Sequence, residues 1–274
     1  MSYVTSGGLR LYYREVGEGP AILWHTGGCG DGSMWERAGY VEALPGYRHL
    51  LLDHRGHGLS EKPATLAEHT MANYVDDVVA VLDDAGVDRA VFVGYSLGAR
   101  VGYAVALSQP ARLTGLVALD SIRDPADTAD GLRQGGDEVL TRGTVHVIEE
   151  MAGYESQPAP AWLIENLCAT EPLQFAGAFE AHATEPDFWG RLADLTVPTL
   201  FLLAVDEHAH DPEDVEGSRR KQELAALAVQ QLPRASVAVM SGVLHLGGFW
   251  RTDLSVPPIR EFLCDSTLPQ TEPR

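Results

Sequence analysis

Ala90-Val-Phe-Val-Gly94-Tyr95-Ser96-Leu97-Gly98-Ala99-Arg100 is the stretch on which the fold turns. An apolar run of strand character, Ala90 to Val93, leads straight into Gly94-x-Ser96-x-Gly98, and a helical pattern from Ala99 to Ser108 follows at once. A sharp turn between strand and helix forces its middle residue into strained backbone angles, so small residues must flank it. The side chain in the middle is then held out at the top of the sheet. A serine there, Ser96, is positioned as a nucleophile. The five-residue pattern alone recurs by chance, and the strand and helix on either side are what give it meaning.

Further short apolar runs bounded by turn residues lie at Ala21 to Trp24, Tyr47 to Leu52, Leu113 to Leu119, Thr199 to Leu203 and Ser236 to Met240. They read as strands buried on both faces. Helical patterns alternate with them. The clearest is Met71 to Gly86, with Tyr74, Val78, Val81 and Leu82 on one stripe and Asp76, Asp77, Asp83 and Asp84 on the other. Strands that alternate with helices need crossover connections, which build an α/β fold: a mostly parallel central sheet with helices on both faces. Leu9 to Glu15 alternates more strictly and suggests an antiparallel edge hairpin. Between Ser121 and Leu195 no strand candidate appears, only helical stretches. The expected organisation is therefore a core of residues 1–120 and 196–264, a helical cap insertion at 121–195, and a tail at 265–274. Such an insertion would lie over the carboxyl edge of the sheet, where open α/β folds bind ligands.

With 274 residues, 45% of them hydrophobic, the chain is long enough to bury a substantial core. Thirty-nine acidic against 20 basic side chains give a formal charge of −19, which repels phosphate backbones and sets nucleic acid aside as a partner. The N-terminus lacks a basic region followed by an apolar one, and no run approaches about 18 apolar residues. The expectation is no membrane span and a cytoplasmic protein. Cys29, Cys168 and Cys264 are odd in number and far apart, consistent with free thiols in a reducing compartment.

A serine hydroxyl is a poor nucleophile at neutral pH and needs a base, with a third group to orient that base. Ten histidines are available. On such a sheet the partners follow in the order serine, acid, histidine, each after a strand. His245 in Ser241-Gly-Val-Leu-His245 fits, directly beyond the last apolar run. Asp206, His208, His210 and Asp211 are dense enough to suggest metal ligands, but nothing orients them toward one point, and no metal is expected. Asp53-His-Arg-Gly-His-Gly reads as a hydrogen-bonded turn beneath the site rather than as a catalytic element. Trp24, Met34 and Trp35 read as core. Trp162, Phe175, Phe179, Phe188 and Trp189, in the inserted segment, include candidates for a substrate pocket.

Taken together, His25-Thr-Gly-Gly, Asp53-His-Arg-Gly-His-Gly-Leu-Ser60, the Ser96 turn, Val197-Pro-Thr-Leu200 and the His245 loop resemble the α/β-hydrolase superfamily, in its small capped esterase, lactonase and C–C hydrolase branch. The resemblance spans nearly the whole chain. It implies water attack on an acyl group through a serine ester, no cofactor, and a small-molecule substrate. In related sequences the late strand ends in Gly-x-x-Asp. Counting from Pro198 puts that acid at Glu207, with Ala204 at the glycine position, so Glu207 is the expected third member. Asp206, one residue away, and Asp120, at the end of the Leu113 to Leu119 run, are the alternatives. The oxyanion hole needs two backbone N–H donors. Leu97 should supply one and Gly27 the other, with Gly28 as the alternative, although relatives have His-Gly where this chain has His25-Thr26. The implied function is a serine hydrolase of a small, largely apolar ester, lactone or thioester. C–C bond hydrolysis of a diketone or ring-cleavage product, or a slow-turnover ligand receptor, uses the same residues. Haloalkane and epoxide chemistry on this fold needs a carboxylate where Ser96 stands.

Overall fold

The structure, a computed structural model, describes residues 2–266. The strands are β1 (Ser2–Ser6), β2 (Leu9–Val16), β3 (Ala21–His25), β4 (Arg48–Asp53), β5 (Ala90–Tyr95), β6 (Leu113–Leu119), β7 (Thr199–Val205) and β8 (Ala235–Ser241). The helices before the insertion are α1 (Met34–Arg37), α2 (Tyr40–Ala43), α3 (Met71–Asp84) and α4 (Leu97–Ser108). Between β6 and β7 come α5 (Ala129–Arg142), α6 (Thr144–Tyr154), α7 (Ala161–Cys168) and α8 (Pro172–Ala183). The chain then continues through α9 (Pro212–Gln231), α10 (His245–Trp250) and α11 (Thr252–Ser266). The first residues of the expected tail, Asp265 and Ser266, thus belong to α11, and 267–274 lie outside the described residues.

One sheet runs in the order β1-β2-β4-β3-β5-β6-β7-β8. β1 and β2 form the expected antiparallel hairpin, β2 meets β4 antiparallel, and the strands from β4 to β8 are mutually parallel. The two faces carry separate apolar clusters. Tyr74, Val78 and Leu82 of α3, Val101 and Val105 of α4, and Leu224 and Ala228 of α9 cover one. Trp24, Trp35, Tyr40, Phe249, Ile259 and Leu263 fill the other. Trp24, Met34 and Trp35 are fully buried, as core residues should be.

Two expectations need correction. β8 is an edge strand rather than one buried on both faces: Val237 and Val239 remain 38% and 45% exposed. Asp77 does not join the solvated stripe of α3. It is buried, and both its oxygens take the Arg55 guanidinium, at 2.6 and 2.7 Å. A bidentate pair of this kind can satisfy a carboxylate that burial alone would leave unpaired. Residues 120–198 contain helices and no strand.

Strand register brings the chemistry together. His25 of β3 lies opposite Gly94 of β5, which sets the loop after β3 beside the turn after β5. Tyr95 lies opposite Leu119 of β6, and the Ser96 N–H donates to the Leu119 carbonyl at 3.0 Å, so Ser96 and Asp120 leave neighbouring strands side by side.

Candidate active site

Ser96 sits at φ 55°, ψ −114°, between β5 and α4. A side chain at Gly94 would collide with the backbone of Gly98, and one at Gly98 with the carbonyls of His25 and Thr26, which is why both flanking positions are glycine. Among the described non-glycine residues, positive φ occurs at Ser96 and at Asp120 (φ 48°) alone. Strained backbone of this sort concentrates at functional positions.

His245 opens α10 after the turn at Gly242. Its Nε2 lies 3.1 Å from Ser96 Oγ and its Nδ1 lies 2.7 Å from Asp120 Oδ2. The neutral tautomer with the proton on Nδ1 donates to the carboxylate and leaves Nε2 free to accept from the serine hydroxyl. The Tyr95 ring stacks against the imidazole at 4.9 Å, and its hydroxyl donates to the His245 carbonyl at 3.0 Å. Glu155, just past α6, takes the N–H groups of Leu246 and Gly247 at 2.6 and 3.1 Å, an acidic cap on the first turn of α10.

The acid beside His245 is Asp120, where the expected residue was Glu207. Asp120 pairs its backbone with β7, its N–H donating to the Leu202 carbonyl at 2.7 Å. β7 runs on past Leu202 for three more residues, about 10 Å at strand rise. Its terminal loop therefore starts about three residues past the level at which Asp120 leaves β6. Glu207 is exposed on that loop. Asp206 is bound instead to the Ser156 hydroxyl and, at 2.9 Å, to the N–H of His208. Asp211 caps α9 through the N–H of Glu213. Ala204 is buried and packs beside Gly248 of α10.

Asp120 is buried, and burial alone would push its carboxyl up. The Lys221 ammonium and the His245 imidazole outweigh that and hold it down to about 2. Lys221 Nζ lies 2.7 Å from Oδ1, which also accepts the Ala204 N–H at 2.8 Å. Neither Lys221 nor Glu155 was legible as a site residue. Lys221 is one of three consecutive basic residues on a charged helix, and Glu155 follows a helix end far from the other site residues in sequence.

The loop after β3 has its own supports. His54 and His57 reach the carbonyls of Gly27 and Gly28 through Nε2, at 2.9 and 3.0 Å. Burial lowers both histidines, His57 to about 4, so both are neutral rings that can donate one proton each. Asp53 takes the N–H groups of Gly32 and Leu59, both at 2.8 Å. Gly27 packs directly against Ser96: a Cβ added to it would lie 3.2 Å from that of the serine. Leu97 begins α4, where the first N–H groups of a helix have no partner within it. Both expected oxyanion positions thus border Ser96. Gly28 lies under α8, with Ala178 and Phe175 against it.

The aromatics of the inserted segment divide. Phe175 is buried over the Gly28 loop, and Phe179 packs against Gly135 of α5. Trp162 lies beneath the Arg37 guanidinium at 4.9 Å. Phe188 is buried against Tyr103 of α4, and the Trp189 indole N–H donates to the Arg123 carbonyl. His245 borders a cleft of about 310 Å³ shared with Met151, Tyr154, Glu155 and Lys221. A larger hollow of about 450 Å³ lies on the far side of the Gly30–Ser33 loop, lined by Arg14, Asp31, His57 and Lys62 rather than by the serine and histidine.

Comparison with known proteins places the fold in a family. Residues 20–142 match the family model of the alpha/beta hydrolase fold. A protein of Azorhizobium caulinodans named for carbamate hydrolysis, RutD, is 30% identical over 223 residues, covering 76% of this chain and 81% of that one. The chain belongs to the α/β-hydrolase family. Among solved structures, an esterase from Thermogutta terrifontis superposes on the hydrolase with a TM-score of 0.77 at 23% identity, covering 97% of this chain and 99% of that one. The enol-lactonase of Burkholderia xenovorans does so with a TM-score of 0.69 at 25% identity, covering 96% and 100%. Among the described residues of the hydrolase, no helix is long and apolar enough to cross a membrane.

Proposed function

We propose that this hydrolase cleaves a carboxylic ester, lactone or thioester of a small, largely apolar substrate through an acyl-enzyme on Ser96. The observation that carries the reading is the chain of contacts from Ser96 Oγ to His245 Nε2 (3.1 Å) and from His245 Nδ1 to Asp120 Oδ2 (2.7 Å). Ser96 Oγ attacks the acyl carbon while its proton passes to Nε2. Asp120 keeps the imidazole in the right tautomer and stabilises the imidazolium. The amides of Leu97 and Gly27 are the proposed donors to the oxyanion. The imidazolium then protonates the leaving oxygen or sulfur, and a water deprotonated by the same histidine releases the acid. The residues 121–195 act as the cap. Met151, Leu244 and Leu246 line the cleft beside His245, which supports a substrate with an apolar part. The relative named for carbamate hydrolysis and the enol-lactonase both act, by name, on acyl derivatives, which supports the same class.

The test is Ser96→Ala with an active-site phosphonate and p-nitrophenyl esters of graded length. Turnover should fall by about 10³-fold or more while the fold is retained, and the phosphonate should label only the wild type. Labelling of the alanine variant, or near-normal turnover, would overturn the assignment.

A further inference from the structure

We propose that Lys221 is a positioning residue for the acid of this triad: it holds Asp120 as a carboxylate turned toward His245 and thereby sets the pH at which His245 becomes a base. The inference rests on the Ser96–His245–Asp120 reading above. Its ground is geometric. Asp120 divides its two oxygens, Oδ2 to the histidine and Oδ1 to Lys221 Nζ at 2.7 Å and the Ala204 N–H at 2.8 Å. The Asp120 side chain is fully buried and that of Lys221 is 25% exposed, so the lysine closes the solvent side of the carboxylate. Helix α9 is itself pinned through the turn that leads to Lys221. Ser218 accepts the Asp206 N–H at 3.1 Å, and Arg220 holds Asp124 with two bonds of 2.7 and 2.9 Å.

A buried carboxylate supported only by neutral donors would draw a proton toward the Asp120–His245 pair. A fixed cation on the far oxygen opposes that uptake. The other titratable groups facing the network would favour it: Glu155 past α6, Glu213 and Asp214 at the start of α9, and Asp206 after β7. Tyr95 and Tyr154 face it as neutral phenols. Lys221 is the one lysine or arginine lining the cleft at His245 among the described residues. Without it, the imidazolium would be surrounded by carboxylates and would persist to higher pH.

The experiment compares Lys221→Met and Lys221→Arg with wild type, reading both the acid limb of kcat/KM and the NMR titration of the His245 ring. In the methionine variant both midpoints should move up by about 1 pH unit, so that activity on the acid side of the limb drops roughly tenfold. The plateau should change much less, and arginine should restore the wild-type midpoints. Coincident titrations of wild type and the methionine variant, each checked for an unchanged circular dichroism spectrum, would overturn the role of Lys221. The NMR reading does not depend on turnover. Should Ser96→Ala and Asp120→Asn both remain active, the triad reading falls while the titration still decides whether Lys221 controls His245.

Discussion

The carboxyl ends of β6 and β7 lie side by side, and each is followed by a carboxylate, yet only one of them meets the histidine. Asp120 leaves β6 at the level of Ser96 with a left-handed backbone and both its carboxylate oxygens hydrogen-bonded inside the protein. Asp206 and Glu207 leave β7 three residues further on. There one is tied to Ser156 and the other is exposed. The difference teaches that the carboxylate that meets the histidine is selected by the level at which its strand ends. A carboxylate of the right type in the right order is insufficient if its strand overshoots by a few ångströms per residue.

The sharpest way to break this contrast is to neutralise each acid in turn. Asp120→Asn should cost about 10²- to 10⁴-fold in kcat, because the amide stabilises neither the tautomer nor the imidazolium. Glu207→Gln should stay within about twofold of wild type, as expected of an exposed surface change. Steady-state kinetics on one activated ester decides it, and a severe Glu207→Gln with a mild Asp120→Asn would move the acid back to the β7 loop.

A second contrast lies between the buried histidines of the core loops and the exposed His208 and His210 after β7. Burial lowers His25, His57 and His69 to about 4 from an ordinary 6.5. Between those values the unfolded chain binds protons that the folded chain does not, so stability is present above about 6.5 and is lost as pH falls toward 4. Asp53, raised by burial to about 6, works in the opposite sense between 6 and 3.8, and the carboxyls of Asp77, Glu155 and Asp214, also raised by burial, join it, while burial lowers His49, His54 and His182 as well and adds to the first sense. The Tm should therefore drop by roughly 5 °C or more from pH 6.5 to 4.5. A flat profile would mean that these rings are accessible to protons in the native state.

The smallest expected effects on activity separate the aromatics of the inserted segment. Phe175→Ala, beside the Gly28 loop, should alter the ranking of ester chain lengths by several-fold, since each methylene that fits is worth on the order of 1 kcal/mol. Trp162→Ala, beneath Arg37, should leave the ranking as it is. Phe188→Ala should act on stability instead, by about 3–5 kcal/mol, because that ring is buried against α4. Denaturant titration beside the kcat/KM series separates the two kinds of outcome. An unchanged ranking in a folded Phe175→Ala variant would remove this ring from the substrate pocket.

What the residues by themselves determined is local: the run into Gly94-x-Ser96-x-Gly98 admits one turn geometry, the alternation of apolar runs and amphipathic stretches admits a mostly parallel sheet, and the histidine after the last run falls where β8 hands over to α10. These features depend on neighbours within a few positions, so periodicity and turn chemistry report them. The tertiary structure alone decided which acid reaches His245, that Asp77 is buried under Arg55, and that Lys221 of α9 and Glu155, just past α6, come from distant parts of the chain to flank the His245 loop. The exposed flank of β8 also followed only from its place at the edge of the sheet. Each of these depends on how far one strand extends past another or on which helix lies across which strand end. Such offsets come from packing among residues up to 125 positions apart, and no local pattern encodes them.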